Sequence, residues 1–201
     1  MSNPSRIVAI HADESCLGNQ FRDRARPGGA GGFIEYWTLD GECVRKDYSC
    51  FDADTTNNRM AIRSAILGLG HLRRDGERVI FFSDSAYLVD GITKWVFGWA
   101  SRGWRRKGGP IQNLELWRHL CRVAARQHVE WRRVPGHSGL PKNEYADHLA
   151  VAAATDRKGD GELRPSGFSE WLKARQVLGE YVDFIDAPPR SFKPGRRPPA
   201  A

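Results

Sequence analysis

Two short apolar segments that run into aspartates limit the fold of this chain most strongly. Residues 6–12 are rich in apolar and β-branched side chains and lead into Asp13, and residues 78–83 lead into Asp84. Short continuous apolar runs of this kind are typical of buried β-strands. An amphipathic segment with helical spacing, residues 56–72, separates them in the sequence. A strand, a crossover helix and a second strand predict that the two strands lie parallel in one sheet.

The other segments complete a mixed fold. Asp40-Gly41 suits a tight hairpin turn between strands at residues 33–39 and 43–50. Residues 22–32, rich in arginine and glycine, are predicted to form a loop. Three further helices are predicted at residues 85–99, 112–127 and 141–154, and a strand is predicted at residues 129–134. The order βββαβααβα predicts an α/β fold in which helices flank a mixed five-stranded sheet.

The chain changes character after Thr155. Residues 1–155 are predicted to form one domain, and residues 156–201 a C-terminal extension. Within the extension, residues 168–178 can form a short helix. Residues 187–201 are rich in proline and arginine and are predicted to be disordered.

Composition excludes several classes of protein. No apolar run approaches the roughly 20 residues that cross a bilayer, and the first residues do not resemble a signal peptide, so we expect a cytoplasmic protein without a membrane partner. The four cysteines are widely spaced, which argues against a zinc site or a disulfide framework. The formal net charge of +7 favours an anionic partner such as nucleic acid.

The aspartates at the strand ends indicate a metal site. Ligand sites in such sheets gather at the carboxyl ends of parallel strands, where Asp13 and Asp84 lie. Two carboxylates held close repel each other unless a cation lies between them. Asp147, on the predicted last helix, can supply a third ligand. A shell of oxygen ligands favours magnesium or manganese, although each aspartate taken alone is also typical of a helix cap or a turn.

Two other features have both a functional and a plain structural interpretation. His137 lies between glycines in a loop, where its neutral-range pKa suits proton transfer, yet a lone histidine in a loop is more often only exposed. Residues 94–107 contain five cations, no acidic residue and four aromatic side chains, including Trp95 and Trp104. This composition suits a nucleic-acid groove, or else a solvated basic loop whose tryptophans pack inward.

Four ordered blocks over residues 6–154 resemble type 1 ribonuclease H, the enzyme that cuts RNA within an RNA–DNA hybrid. The fold expected above is also the fold of that family. The blocks are Asp13-Glu14-Ser15-Cys16-Leu17-Gly18-Asn19, Thr55-Thr56-Asn57-Asn58-Arg59-Met60, Asp84-Ser85 with Asp90-Gly91-Ile92-Thr93-Lys94-Trp95, and Gly136-His137-Ser138-Gly139 with Asn143-Glu144-Tyr145-Ala146-Asp147.

The resemblance implies a two-metal hydrolysis of the RNA strand. Asp13, Asp84 and Asp147 would bind two magnesium ions, with manganese as a substitute, to activate a water and stabilise the leaving 3′ oxygen. His137 would assist product release or proton transfer. Asn19, Asn57 and Asn58 would contact the minor groove of the hybrid. Thr56 and Asn113 would form the pocket for a DNA phosphate, and Tyr87 and Trp95 would form the channel for a DNA sugar. The basic segment that includes Trp104 would form the protruding substrate-binding handle.

One departure from the family affects catalysis. The family has a metal-binding glutamate where this chain has Ala61, and a methyl group cannot ligate a metal. Glu14 replaces a glycine and Ala86 replaces a glutamine beside the site. Three explanations are open for Ala61. Glu14 or a metal-bound water can partly replace the missing ligand, the chain can bind hybrids without turnover, or it can be a deliberately inactivated variant. Alternation along an extended strand would point Glu14 away from Asp13, so compensation by Glu14 requires a turned backbone.

The sequence therefore predicts a monomeric, magnesium-dependent ribonuclease H that hydrolyses the RNA strand of RNA–DNA hybrids, uses no small-molecule cofactor and is weakened by Ala61. Contacts to backbone and groove shape predict little sequence preference. The alternative is a catalytically inactive protein that binds RNA–DNA hybrids.

Overall fold

A computed structural model describes residues 7–17, 26–136 and 138–200. Six strands form one sheet in the order β5-β4-β1-β2-β3-β6. β1 pairs antiparallel with β2 and parallel with β4, and β4 pairs parallel with β5. The predicted fold class is confirmed. The strands are β1 Ile7–Cys16, β2 Gly28–Trp37, β3 Cys43–Asp52, β4 Arg78–Ser83, β5 His128–Arg133 and β6 Arg164–Pro165.

The sixth strand was not predicted. β6 has two residues and pairs with Asp47 and Lys46 of β3, which is too short to give a periodic signal in the sequence. The predicted helix over residues 85–99 consists of three parts, because a π-helical turn at Gly91–Trp95 separates α2 from α3. The helices are α1 Asn57–Gly70, α2 Ala86–Asp90, α3 Val96–Ala100, α4 Leu114–Ala124, α5 Pro141–Asp156 and α6 Phe168–Val177.

Helices cover both faces of the sheet. On one face, side chains of α1, α2, α3 and α4 pack in the main core with alternate residues of β1, namely Val8, Ile10 and Ala12. On the other face, Phe33 of β2 packs with Tyr145 of α5 and Phe168 of α6. Among the described residues, no helix is long and apolar enough to cross a membrane.

The structure extends two strands beyond the bounds that the sequence predicts, in β1 and β2. β1 continues to Cys16, so Asp13 lies within the strand and not after its end. β2 begins at Gly28, so the last part of the predicted loop over residues 22–32 is a strand, while residues 18–25 lie outside the described part. The glycines of β2 serve a close approach, since a Cβ on Gly31 would lie 2.5 Å from the backbone nitrogen of Ala150 in α5.

Candidate active site

Three carboxylates meet where β1 runs beyond the end of β4. The last pair between these strands is His11 with Phe82, so β1 continues past its neighbour, and Asp84 follows β4 directly. Ligand oxygens of Asp13, Glu14 and Asp84 lie within 4.8 Å of one another. Asp13 is buried, and the other two side chains are half-buried.

Burial and mutual repulsion make these carboxyl groups hard to ionise. Burial, with the charges of Asp84 and Asp147, raises the pKa of Asp13 to about 8. Burial and the charges of Asp13 and Asp84 also raise the pKa of Glu14 well above its usual range. Glu14 Oε2 is buried and has no hydrogen-bond partner among the described residues. Acceptors of this kind, held together out of water, suit divalent cations that prefer oxygen ligands.

Glu14 lies on the same face of the sheet as Ala61. Glu14 pairs with Ala30 of β2, which packs against Met60 of α1, whereas Asp13 pairs with Gly31 beneath α5. The two acids therefore point to opposite faces. Their carboxylate oxygens still lie within 4.8 Å of each other, at the edge of β1 that β4 no longer covers. The two acids thus converge although both lie in a strand, while compensation for Ala61 by Glu14 stays a prediction.

Asn143 was not predicted as a site residue. Its side-chain amide Nδ2 donates a hydrogen bond of 3.4 Å to Asp13 Oδ2 from the first turn of α5. Asp147 lies one turn later on the same helix, and its charge acts on both Asp13 and Glu14. The spacing of Asn143 and Asp147, four residues apart, places both side chains on one helix face and is the signal that could have identified Asn143.

Three of the predicted substrate-binding residues form one group. Asn113 Nδ2 donates to the hydroxyl oxygen of Tyr87 at 3.2 Å, and the ring of Trp95 lies 5.6 Å from the Tyr87 ring. Arg59 donates to Asn113 Oδ1 at 3.3 Å and so connects this group with α1. Thr56, before the first residue of α1, caps that helix by accepting a hydrogen bond from the Arg59 backbone nitrogen.

The structure also describes the predicted substrate-binding residues Asn57, Asn58 and Trp104. Asn57 Oδ1 is buried and lacks a hydrogen-bond partner among the described residues, and Asn58 is exposed. Trp104 is half-buried, with the Arg118 guanidinium 5.5 Å from its ring centroid. The cations of the predicted handle are exposed, namely Arg102, Arg105, Arg106 and Lys107.

Asn19 and His137 lie outside the described residues. Gly136, which the structure does describe, lies next to Asp84, since a Cβ on this glycine would lie 2.5 Å from Asp84 Oδ2. Only a glycine permits this approach without displacing the aspartate.

Comparison with known proteins agrees with this geometry. A sequence model described as RNase H matches residues 5–155. The ribonuclease H of Maricaulis maris is 41% identical over 153 residues, which cover 76% of this chain and 96% of that protein. The chain belongs to the ribonuclease H family. The resemblance inferred from the sequence is thereby confirmed.

Two solved structures extend the comparison. LC9-RNase H1, a type 1 RNase H with the type 2 active-site motif, has a TM-score of 0.88 and 43% identity, covering 100% of this chain and 97% of its own. The RNase H domain of PFV has a TM-score of 0.61 and 15% identity, covering 76% of this chain and 96% of its own, and shows the fold alone. Ribonucleases H hydrolyse the RNA strand of RNA–DNA hybrids with divalent metal ions, so the expected activity is confirmed for this family member.

Proposed function

We propose that this ribonuclease H binds magnesium ions through Asp13, Glu14, Asp84 and Asp147, and that Glu14 replaces the glutamate that is absent at Ala61. The observation that carries this proposal is the convergence of three carboxylates within 4.8 Å, one of which has a buried oxygen without a partner. Carboxylate ligands favour Mg²⁺, and Mn²⁺ accepts the same set.

The protein side chains prepare the site before substrate binds. Asn143 orients Asp13 by its hydrogen bond. The carboxylates lie close together and are shielded from water, so a bound cation would relieve their mutual repulsion. Bound divalent ions lower the pKa of an attacking water and stabilise the charge that develops on the leaving 3′ oxygen. His137, which follows Gly136 in the sequence, would assist product release or proton transfer.

Substrate binding is assigned to the group formed by Tyr87, Trp95 and Asn113, together with Thr56 and the unpartnered oxygen of Asn57. The exposed cations between residues 102 and 107 would contact phosphates of the hybrid. A monomeric state and a cytoplasmic localisation stay predictions from the sequence.

The description of LC9-RNase H1 supports an altered ligand set. That protein is a type 1 RNase H that has the type 2 active-site motif, and it resembles this chain along its whole length. A type 1 fold can therefore carry an active-site motif other than its usual one.

Cleavage of a labelled RNA–DNA hybrid, titrated with Mg²⁺ and Mn²⁺, tests the proposal. We expect turnover by the natural chain and a loss of more than about 100-fold in both Glu14→Gln and Asp84→Asn, because each removes a metal ligand. Glu42→Gln is the matched control, since Glu42 is an exposed acid in the turn between β2 and β3. Full activity of Glu14→Gln would contradict the assignment of Glu14.

Ala61 is the observation that favours the alternative, a hybrid-binding protein without turnover. Under that alternative, the chain would bind the hybrid with a strong salt dependence but yield no product, and Ala61→Glu would gain turnover. Hybrid cleavage by the natural chain would exclude it.

A further inference from the structure

An ion network ties the C-terminal extension to the first turn of α5. Lys142 Nζ lies 2.5 Å from Glu35 Oε1 and 3.0 Å from Asp186 Oδ1. Arg45 contacts the same two acids, at 2.7 Å from Glu35 Oε2 and through Nη2 to Asp186 Oδ2. Two cations thus alternate with two carboxylates, and their charges balance.

The network is largely shielded from water. The exposed fraction of the side chain is 1% for Glu35, 9% for Arg45, 14% for Lys142 and 30% for Asp186. Burial would favour a neutral Glu35, yet its contact with His11, whose Nε2 lies 3.3 Å from Glu35 Oε1, and the charges of Lys142 and Arg45 lower its pKa to about 2. Shielded charges keep a fixed arrangement only while each has its partners. Asp186, the most exposed member, is the one that can be removed with least damage to the fold.

The position of Lys142 relates this network to the carboxylates. α5 runs along β2, with Lys142 bound to Glu35, Tyr145 against Phe33, and Ala150 close to Gly31. Gly31 in turn pairs with Asp13 on β1. The glycine seats the middle of the helix on the sheet, while the ion network secures its first turn.

The first turn of α5 is the part that reaches the site. Asn143, next to Lys142, donates to Asp13 Oδ2, and Asp147 follows one turn later. A lysine has a long flexible stem, so one carboxylate leaves it several rotamers, whereas two carboxylates on either side restrict it. Because Lys142 and Asn143 are adjacent on α5, restricting Lys142 secures the turn of the helix from which Asn143 reaches Asp13.

Phe184, two residues before Asp186, lies at the same end of α5. It packs against the cluster of Phe33, Tyr145 and Phe168, and it lines an apolar cleft with Lys142 and Asn143. Residues 184 and 186 thus both lie against the first turn of α5.

We propose that Asp186 is a positioning residue for the metal site: it fixes Lys142 against Glu35 and thereby holds Asn143 and Asp147 over Asp13. This inference rests on the proposed function, because it assigns a second layer of residues to the same metal site. The extension then acts on the metal site through Lys142 and the first turn of α5.

The test compares Asp186→Asn with Asp183→Asn, a matched control in the same segment whose aspartate is exposed. For Asp186→Asn we expect a roughly 10-fold higher Mg²⁺ concentration at half-maximal cleavage, an unchanged KM for the hybrid, and a smaller Mg²⁺-induced rise in Tm measured without substrate. Asp186→Glu should restore most of the Mg²⁺ response. A purely structural clamp would lower Tm without metal and leave the Mg²⁺ midpoint unchanged, which would overturn the proposal.

A second comparison uses Lys142→Met, which keeps the apolar stem and removes the charge. If Asp186 acts through Lys142, then Asp186→Asn will not change the Mg²⁺ midpoint further in that background. Independent, additive effects of the two substitutions would overturn the proposed route. Absence of both cleavage and a Mg²⁺-induced rise in Tm in the natural chain would instead overturn the metal site itself, so the two failures are distinguishable.

Discussion

At the scale of single residues, the carboxylates of the site cost stability when no cation is bound. Asp13 is 6% exposed and lies beside Glu14 and Asp84. Its ionised form is therefore a buried charge that costs free energy, because water is excluded and no cation balances it. We expect Asp13→Asn to raise the free energy of unfolding of the metal-free protein by about 1–3 kcal/mol near neutral pH and to abolish cleavage. Urea unfolding in the presence of a chelator measures the first effect.

The pH dependence follows from the direction of the pKa shift. The pKa of Asp13 is about 8 in the folded protein and 3.8 in its ordinary state, so between these values the folded state binds the proton more tightly than the unfolded state. This group therefore makes stability fall as pH rises from about 4 to about 8. The stability difference between Asp13→Asn and the natural chain should shrink towards pH 4. Parallel curves at all pH values would contradict this origin.

At the scale of elements, α5 depends on the absence of a side chain at Gly31. A Cβ there would lie 2.5 Å from Ala150 N and 2.6 Å from Leu149 Cβ, so the helix must shift. We expect Gly31→Ala to lower the free energy of unfolding by about 1–3 kcal/mol and to weaken Mg²⁺ binding, because Asp147 moves with the helix. Thermal unfolding with and without Mg²⁺ measures both effects.

Gly70→Ala is the control for that prediction. Gly70 is the last residue of α1, it is exposed, and a Cβ there meets nothing within 4 Å. Alanine should be neutral or slightly stabilising here, because it reduces the entropy of the unfolded chain. An equal loss of stability in both variants would show that helix seating is not the cause.

The same elements show which features a sequence can predict. β4 was predicted with the bounds that the structure gives, since a continuous apolar run identifies a buried strand without knowledge of its neighbours. Residues 28–32 were predicted as loop because glycine is typical of turns. Their role in β2 depends on a helix more than 100 residues later, which no local pattern reveals.

Some features of the candidate site can also be predicted from the sequence, and others cannot. The neighbouring positions of Asp13 and Asp84 followed from strand order alone. The convergence of Glu14 did not, because strand alternation places Asp13 and Glu14 on opposite faces, and their carboxylates meet only at the edge where β1 has lost β4 as its neighbour. The contact between Asp186 and Lys142 joins residues that are distant in sequence and carry no motif.

At the scale of the whole molecule, the C-terminal extension reaches both edges of the sheet. β6 pairs with β3 at one edge. At the opposite edge, Gly195 N donates to Val129 O at 2.9 Å and Lys193 N donates to a Glu130 carboxylate oxygen at 2.6 Å, both on β5. An uncovered edge strand is a site for pairing with another chain, so the extension also protects the sheet.

Deletion of residues 187–201 tests this covering role and leaves Asp186 in place. The deletion removes the Gly195 N hydrogen bond to Val129 O, the Lys193 N hydrogen bond to Glu130, the Arg132 contacts with Ser191 and the Arg197 contact with Ala125 O. Their loss should cost about 1–3 kcal/mol, which lowers Tm by roughly 3–10 °C. The Mg²⁺ midpoint of cleavage should not change, because the network around Lys142 remains.

The control, Arg190→Gln with Lys193→Gln, removes charge and keeps the Lys193 backbone donor, so its Tm should stay close to that of the natural chain. An unchanged Tm after the deletion would support the disorder that the sequence predicts for this segment. A lower salt dependence of hybrid binding in the variant with Arg190→Gln and Lys193→Gln would show that these two cations contact phosphates.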